Sequence, residues 1–173
     1  MNLTAVVERY AALEKRGMLF YRGLHERFHA HPAAARIWRE LSDTEASHFA
    51  LLELSQDWIA LAGGGGSVPA VTEESLGALS VLLTELETDA ARPDCALEEA
   101  TLLTIRWEEL ELPRILDLIP HLPAKARAHV MSGMVAEAAE HYRVLLELVK
   151  AAGAPAQVER VAALTERCRA ALA

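Results

Sequence analysis

Four ionisable side chains stand where a helix would carry leucine. Tyr10, Glu14, Gly17, Tyr21, Leu24 and Phe28 follow a 4-3-4-3-4 spacing, that of a helical face packed against neighbours, and Glu14 lies on it. The same spacing runs through Leu41, Glu45, His48, Leu52, Ser55 and Ile59, so Glu45 and His48 both turn inward. A third stripe, Met131, Met134, Ala138, His141, Leu145 and Leu148, turns His141 inward as well. A buried unpaired carboxylate costs several kcal/mol, a large part of a domain's net stability. A divalent cation offsets that cost, and a carboxylate and an imidazole at i and i+3 of one helix can reach the same ion. Mixed Glu and His ligands suit iron or manganese, admit zinc, and fit calcium or magnesium less well. Singly, a Glu three residues before a His is an ordinary solvated pair, and Glu14 an ordinary boundary residue. Three stripes aimed at one core give them another meaning.

Proline and glycine punctuation marks out the helices that would carry these stripes. The first spans residues 2–29. A second opens at Pro32, a placement proline favours, and runs to about Ala62. Gly63 to Gly66, with Ser67 and Pro69, breaks the chain; no Lys-Ser or Lys-Thr follows, so the run reads as a linker and not a phosphate loop. A shorter helix begins at Thr72 with Glu73 and Glu74 and continues to about Thr88. Pro93 and Asp94 open a third long helix, which Pro113 should kink or end early. A fourth runs from about 123 to 151, and Gly153 and Pro155 set off a C-terminal helix. The expected fold is all-α, one domain over residues 1–173, with helix pairs 1–62 and 93–151, a crossover 63–92 and a C-terminal helix 155–172. A long crossover between two helical hairpins is the connectivity of a ferritin-like four-helix bundle. The two halves also echo each other: Ala35 to His48 aligns without gaps with Ala128 to His141. Each is followed by an aromatic residue and Leu-Leu-Glu-Leu, one residue later in the second copy.

Glu14 followed seven residues on by Tyr21 (EKRGMLFY), with Glu45-Ala46-Ser47-His48 on the next helix, resembles the rubrerythrin-like branch of the ferritin-like superfamily. The likeness covers residues 1 to about 151. It implies a carboxylate-bridged diiron centre with activity among peroxide reduction, oxygen chemistry and ferrous iron oxidation. It also implies that Tyr21 is a hydrogen-bond partner or radical-accessible neighbour of the centre, the residue expected to take part in catalysis. The second half departs from the family pattern. Alignment on Pro113 puts Thr104 where the family has a glutamate, while a register one turn later supplies Glu108, with Glu111 on the same face. The family's second Glu-x-x-His reads Ala138-Ala139-Glu140-His141 here, which leaves Glu137, about 100° off the stripe, as a substitute. The expected ligands are Glu14, Glu45, His48, Glu108, Glu137 and His141, holding two iron ions, or one if the second half has lost its site.

Composition bounds the partners. The 173 residues carry a net charge of −8, which disfavours nucleic acid and anionic membrane surfaces and favours cations. The longest uncharged run, Trp58 to Thr72, is broken by four glycines and Pro69 and cannot span a bilayer. With no basic leader at the N-terminus, a cytoplasmic location is expected. Cys95 and Cys168 form no CxxC pair, so electrons would come from a separate donor, or from ferrous iron as substrate. An apolar face at Val158, Val161, Leu164 and Leu172 is covered within the domain or forms the seam of a homodimer, the assembly expected here. His25, His29 and His31 should cap helix ends and face water; His121 and His129 have no partner pattern. Against the rubrerythrin-like oxidoreductase stand two alternatives. One is a degenerate bundle serving as a structural or interaction module, its inward acids paired with Arg36 or Arg106. The other is a single metal ion used for regulation or storage.

Overall fold

Each helix begins where local chemistry favours it. Asn2 Oδ1 accepts the Ala5 N–H at 2.8 Å and opens α1 (Leu3–Arg27). α2 (Pro32–Leu61) starts with its proline in the first turn, where a missing N–H costs nothing, and Gly63 takes a left-handed φ of 91° just past its end. A capping box between Thr72 and Ser75, with Glu73 and Glu74 in the first turn, opens α3 (Glu73–Ala91). The computed structural model describes the backbone of residues 1–63, 66, 68 and 71–172; the side chains at 110, 112–115, 131, 135–139, 168–169 and 171–172 lie outside that description. Among the described residues the chain is all-helical and has no strand.

The second half corrects the expected boundaries. Pro93 and Asp94 do not open a helix: they lie in a turn closed by the Cys95 N–H on Arg92 O at 3.1 Å, and α4 (Leu97–Leu118) starts four residues after Pro93. Pro113 does not end α4, which runs on to Leu118. A short 3-10 turn, Ile119–His121, leads to α5 (Ala124–Val130). A π-helical turn, Met131–Val135, joins α5 to α6 (Ala136–Ala151), so the helix expected over 123–151 has a wider turn in its middle. Gly153, with φ 67°, and a 3-10 turn at Pro155–Gln157 precede α7 (Val158–Leu172).

α1 and α2 form the most extensive pair; α2 also packs on α5 and α6, and α4 touches α1, α6 and α7. α3 crosses over α1 and α4, held by Arg16 of α1, which donates to both Glu87 oxygens (3.2 and 2.7 Å), Ser80 Oγ (3.0 Å) and Thr84 Oγ1 (2.9 Å). The start of the crossover is tied to the N-terminus by two backbone bonds, Leu3 N–H to Gly66 O (3.0 Å) and Val68 N–H to Met1 O (3.1 Å). α7 lies on α4 and α6, with Arg160 gripping both oxygens of Glu109 at 2.9 and 2.6 Å. Val161 and Leu164 are fully buried within the chain, so this part of the apolar face is not available for a dimer seam. Val158 stays partly exposed, and Leu172 lies outside the described side chains. Trp38, Trp107, Tyr10, Tyr21 and Tyr142 are the largest fully buried side chains. Among the described residues no helix is long and apolar enough to cross a membrane.

Candidate metal centre

Helical periodicity carries the polar groups inward. On α1 the buried face takes in Tyr10, Glu14, Gly17, Tyr21 and Leu24; on α2 it takes in Leu41, Glu45, Leu52, Ser55 and Ile59, with His48 only 12% exposed. α4 buries Thr104, Trp107, Glu108 and Glu111, an i, i+3, i+4, i+7 set on one face. α6 adds His141, which is 8% exposed.

These side chains converge in two groups that share one residue. A donor atom from each of Glu14, Glu45 and His48 lies within 4.8 Å of the other two, and the same holds for Glu45, Glu108 and His141. His48 Nδ1 is 3.6 Å from Glu14 Oε2 and 3.5 Å from Glu45 Oε2. His141 Nε2 is 2.8 Å from Glu108 Oε1, and the Tyr21 hydroxyl donates to that same oxygen at 2.6 Å. The two imidazole rings stack, their centroids 6.3 Å apart and their planes at 24°. The echoed segments on α2 and on the π turn and α6 thus place their terminal histidines side by side, with Glu45 between the two groups.

The electrostatics are those of charge packed without counter-charge. Burial pushes the Glu14 carboxyl well above its ordinary value, and the nearby carboxylates of Glu111 and Glu45 push it further. Glu111 is raised the same way by burial, Glu45 and Glu108. Burial also pushes Glu45 up, but hydrogen bonds with Glu14 and His48 and the fields of His48 and His141 outweigh it and hold Glu45 at about 2. In the metal-free chain the proton therefore sits on Glu14 while Glu45 stays ionised. Tyr21 is raised by burial and by Glu108 and Glu45, so its phenol remains a protonated donor.

Cation-binding chemistry fits this donor set. Both oxygens of Glu14, Oε2 of Glu45, Oε1 of Glu111 and Nε2 of His48 are buried without a hydrogen-bond partner, although native proteins pair the large majority of such atoms. Among the described residues no arginine or lysine forms an ion pair with Glu14, Glu45, Glu108 or Glu111. Arg36 instead pairs at the surface with Glu40 and Glu147. A positive charge at the convergence of these oxygens and imidazoles would satisfy them together.

The remaining expected residues fall as follows. Thr104 is not at the centre: its hydroxyl accepts from the Trp38 indole N–H at 3.0 Å and donates to Ala100 O at 3.1 Å, so α4 takes the register that brings Glu108 in. Glu137 lies outside the described side chains. His25 Nδ1 contacts Ala35 O at 2.9 Å and His29 Nδ1 contacts Glu26 O at 3.0 Å, both local contacts at the α1/α2 junction. His129 does have a partner, stacking on Trp58 with centroids 4.4 Å apart. The sequence reading gave Glu111 no place in the ligand set; its signal was the i, i+3 pairing with Glu108 on the stripe that Thr104 and Trp107 also occupy.

No protein-family model, no curated protein and no solved structure matches this chain. Its function is therefore read from its own residues.

Proposed function

We propose that this chain is a ferritin-like four-helix protein that binds two divalent transition-metal ions, iron in the first instance, and acts as an oxidoreductase on peroxide, oxygen or ferrous iron. The observation that carries this reading is the sharing of Glu45 by two buried groups of carboxylate and imidazole donors whose oxygens lack other partners. Glu14, Glu45 and His48 would hold one ion; Glu45, Glu108 and His141 would hold the other. Glu and His donors select iron, manganese or zinc over calcium and magnesium. A pair of ferrous ions bound there would supply two electrons to a small oxidant.

The protein's own part is to hold these donors fixed and dry. Tyr21 fixes one Glu108 oxygen by its 2.6 Å hydrogen bond and, as a protonated phenol, lends that carboxylate no extra negative charge. The Trp38 to Thr104 bond fixes the rotation of α4, and with it the direction of Glu108 one turn on. Electrons for repeated turnover would come from a separate donor, or from ferrous iron consumed as substrate.

The test is elemental analysis of aerobically purified protein together with its ultraviolet and visible spectrum. Near two iron ions per chain and charge-transfer absorption of an oxo-bridged ferric pair are expected. Full iron stoichiometry in a Glu14→Ala/His48→Ala double variant would remove this site from consideration. The degenerate module remains the second reading because the echo of Glu45 in the second half is Ala138; no metal would then copurify.

A further inference from the structure

One buried carboxylate has no role in the ligand set just given. Glu111 lies one turn beyond Glu108 on α4, is 5% exposed, and presents an Oε1 with no hydrogen-bond partner. Trp107, on the preceding turn, is fully buried, and its indole N–H also lacks a bond of good geometry. A Cβ built on Gly17 would stand 3.4 Å from Trp107 Nε1 and 3.7 and 3.8 Å from Glu45 Cγ and Cδ. The N–H therefore enters the carboxylate cluster through the space that Gly17 leaves open. Its effect falls on Glu111, whose carboxyl is pushed up by burial, Glu45 and Glu108 and drawn back down by hydrogen bonding from Glu14 and Trp107. The helices contribute unequally: α1 and α2 give one carboxylate each, α4 gives two, and α6 has Ala138 at the position that echoes Glu45.

We propose that Glu111 supplies, from α4, the carboxylate that the sequence lacks at Ala138, and that Trp107 is its positioning residue, turning it toward the ion held by Glu14, Glu45 and His48. The inference rests on the metal reading above. With Glu111 included, four ionised carboxylates balance two divalent cations charge for charge; three would leave one positive charge uncompensated in a buried site. The site then departs from a symmetric pair of Glu-x-x-His helices, with its second bridging position filled from a neighbouring helix.

The probe is Co²⁺ alone, titrated anaerobically into the full chain and followed by ligand-field absorption and by metal content after dialysis. E111Q should weaken one of two ions at least about tenfold and leave the other unchanged, and W107F, which removes the N–H, should weaken the same ion about tenfold. The W107F/E111Q double variant should bind no worse than E111Q, because Trp107 acts through Glu111. E109Q removes an α4 carboxylate paired with Arg160 away from the centre and should bind as the parent does. If W107F does not fold, the N–H can be removed by replacing Trp107 with its sulfur isostere, benzothienylalanine, with the same expectation. Parent-like binding of both ions by E111Q overturns the inference and leaves the metal reading standing. So does a W107F loss that adds in full to that of E111Q. A parent chain that takes up no Co²⁺ overturns both.

Discussion

Glu14→Gln should stabilise the metal-free protein while weakening the metal-loaded one. Glu14 is fully buried, its carboxyl is raised well above the ordinary 4.5, and neither of its oxygens has a donor. Above pH 4.5 the unfolded chain loses this proton while the native state keeps it. The native state then binds more protons, so stability falls as pH rises through the interval up to the elevated native value. A carboxyl that held its proton throughout would cost about 1.4 kcal/mol per pH unit, or up to about 3 kcal/mol by pH 7. Glutamine is isosteric, never ionises, and offers an N–H to the unpartnered oxygens of Glu45 and Glu111. For a chain of this length about 3 kcal/mol corresponds to a rise in Tm of roughly 6–12 °C. Thermal melts in chelator from pH 4 to 8 should show parent and variant converging below pH 4.5 and separating as pH rises. Added Mn²⁺ or Co²⁺ at about a hundred times Kd should raise the parent by about 2.7 kcal/mol and the variant by far less. A variant that is less stable than the parent in chelator at pH 8, or a difference that does not change with pH, would refute the assignment of Glu14 as a carboxyl buried without counter-charge.

Glu45→Ala should bring metal content to background at both positions, since both donor groups include Glu45; elemental analysis retaining one full equivalent would show that they are independent. Tyr21→Phe removes a buried hydrogen bond to a carboxylate and should cost about 1.5–3 kcal/mol in urea unfolding, with metal affinity reduced at the His141 position and little changed at His48. Gly133→Ala should cost about 1–3 kcal/mol, because its Cβ would fall 2.4 Å from Leu51 Cδ1; Leu51→Ala in the same chain should relieve that clash, so the two losses will not add.

The first half of the molecule was legible because long unbroken helices keep a 3.6-residue period. Once α1 and α2 were placed by Pro32 and the glycine run, the inward direction of Glu14, Glu45 and His48 followed, and the structure brings these three side chains together. The second half was harder because its landmarks mislead. Pro113 suggested a break, yet α4 continues through it, and aligning on that proline pointed to Thr104 when the Trp38 bond fixes the helix with Glu108 inward. Pro93 suggested a helix start four residues early, because the turn closed by Cys95 intervenes. The π turn left no mark in composition or spacing. The stacking of His129 on Trp58 joins residues distant in sequence and could not be read from either neighbourhood. Burial of Val161 and Leu164 needed the path of α7 across α4 and α6, which apolar spacing alone does not give.

The π turn at Met131–Val135 amounts to one surplus residue held inside a helix. Since each residue of an α-helix turns it by about 100°, deleting one there would restore a regular spiral and swing everything on one side against everything on the other. Either Ala126 and Val130 would leave their seat on α2, or His141 would rotate away from Glu108. The turn thus works as a phase adjuster: it lets one rod keep an apolar grip at one end while aiming an imidazole at the other. In a lineage of such chains, gain or loss of a single codon at this point would re-aim the histidine in one step, without any change to the helices around it.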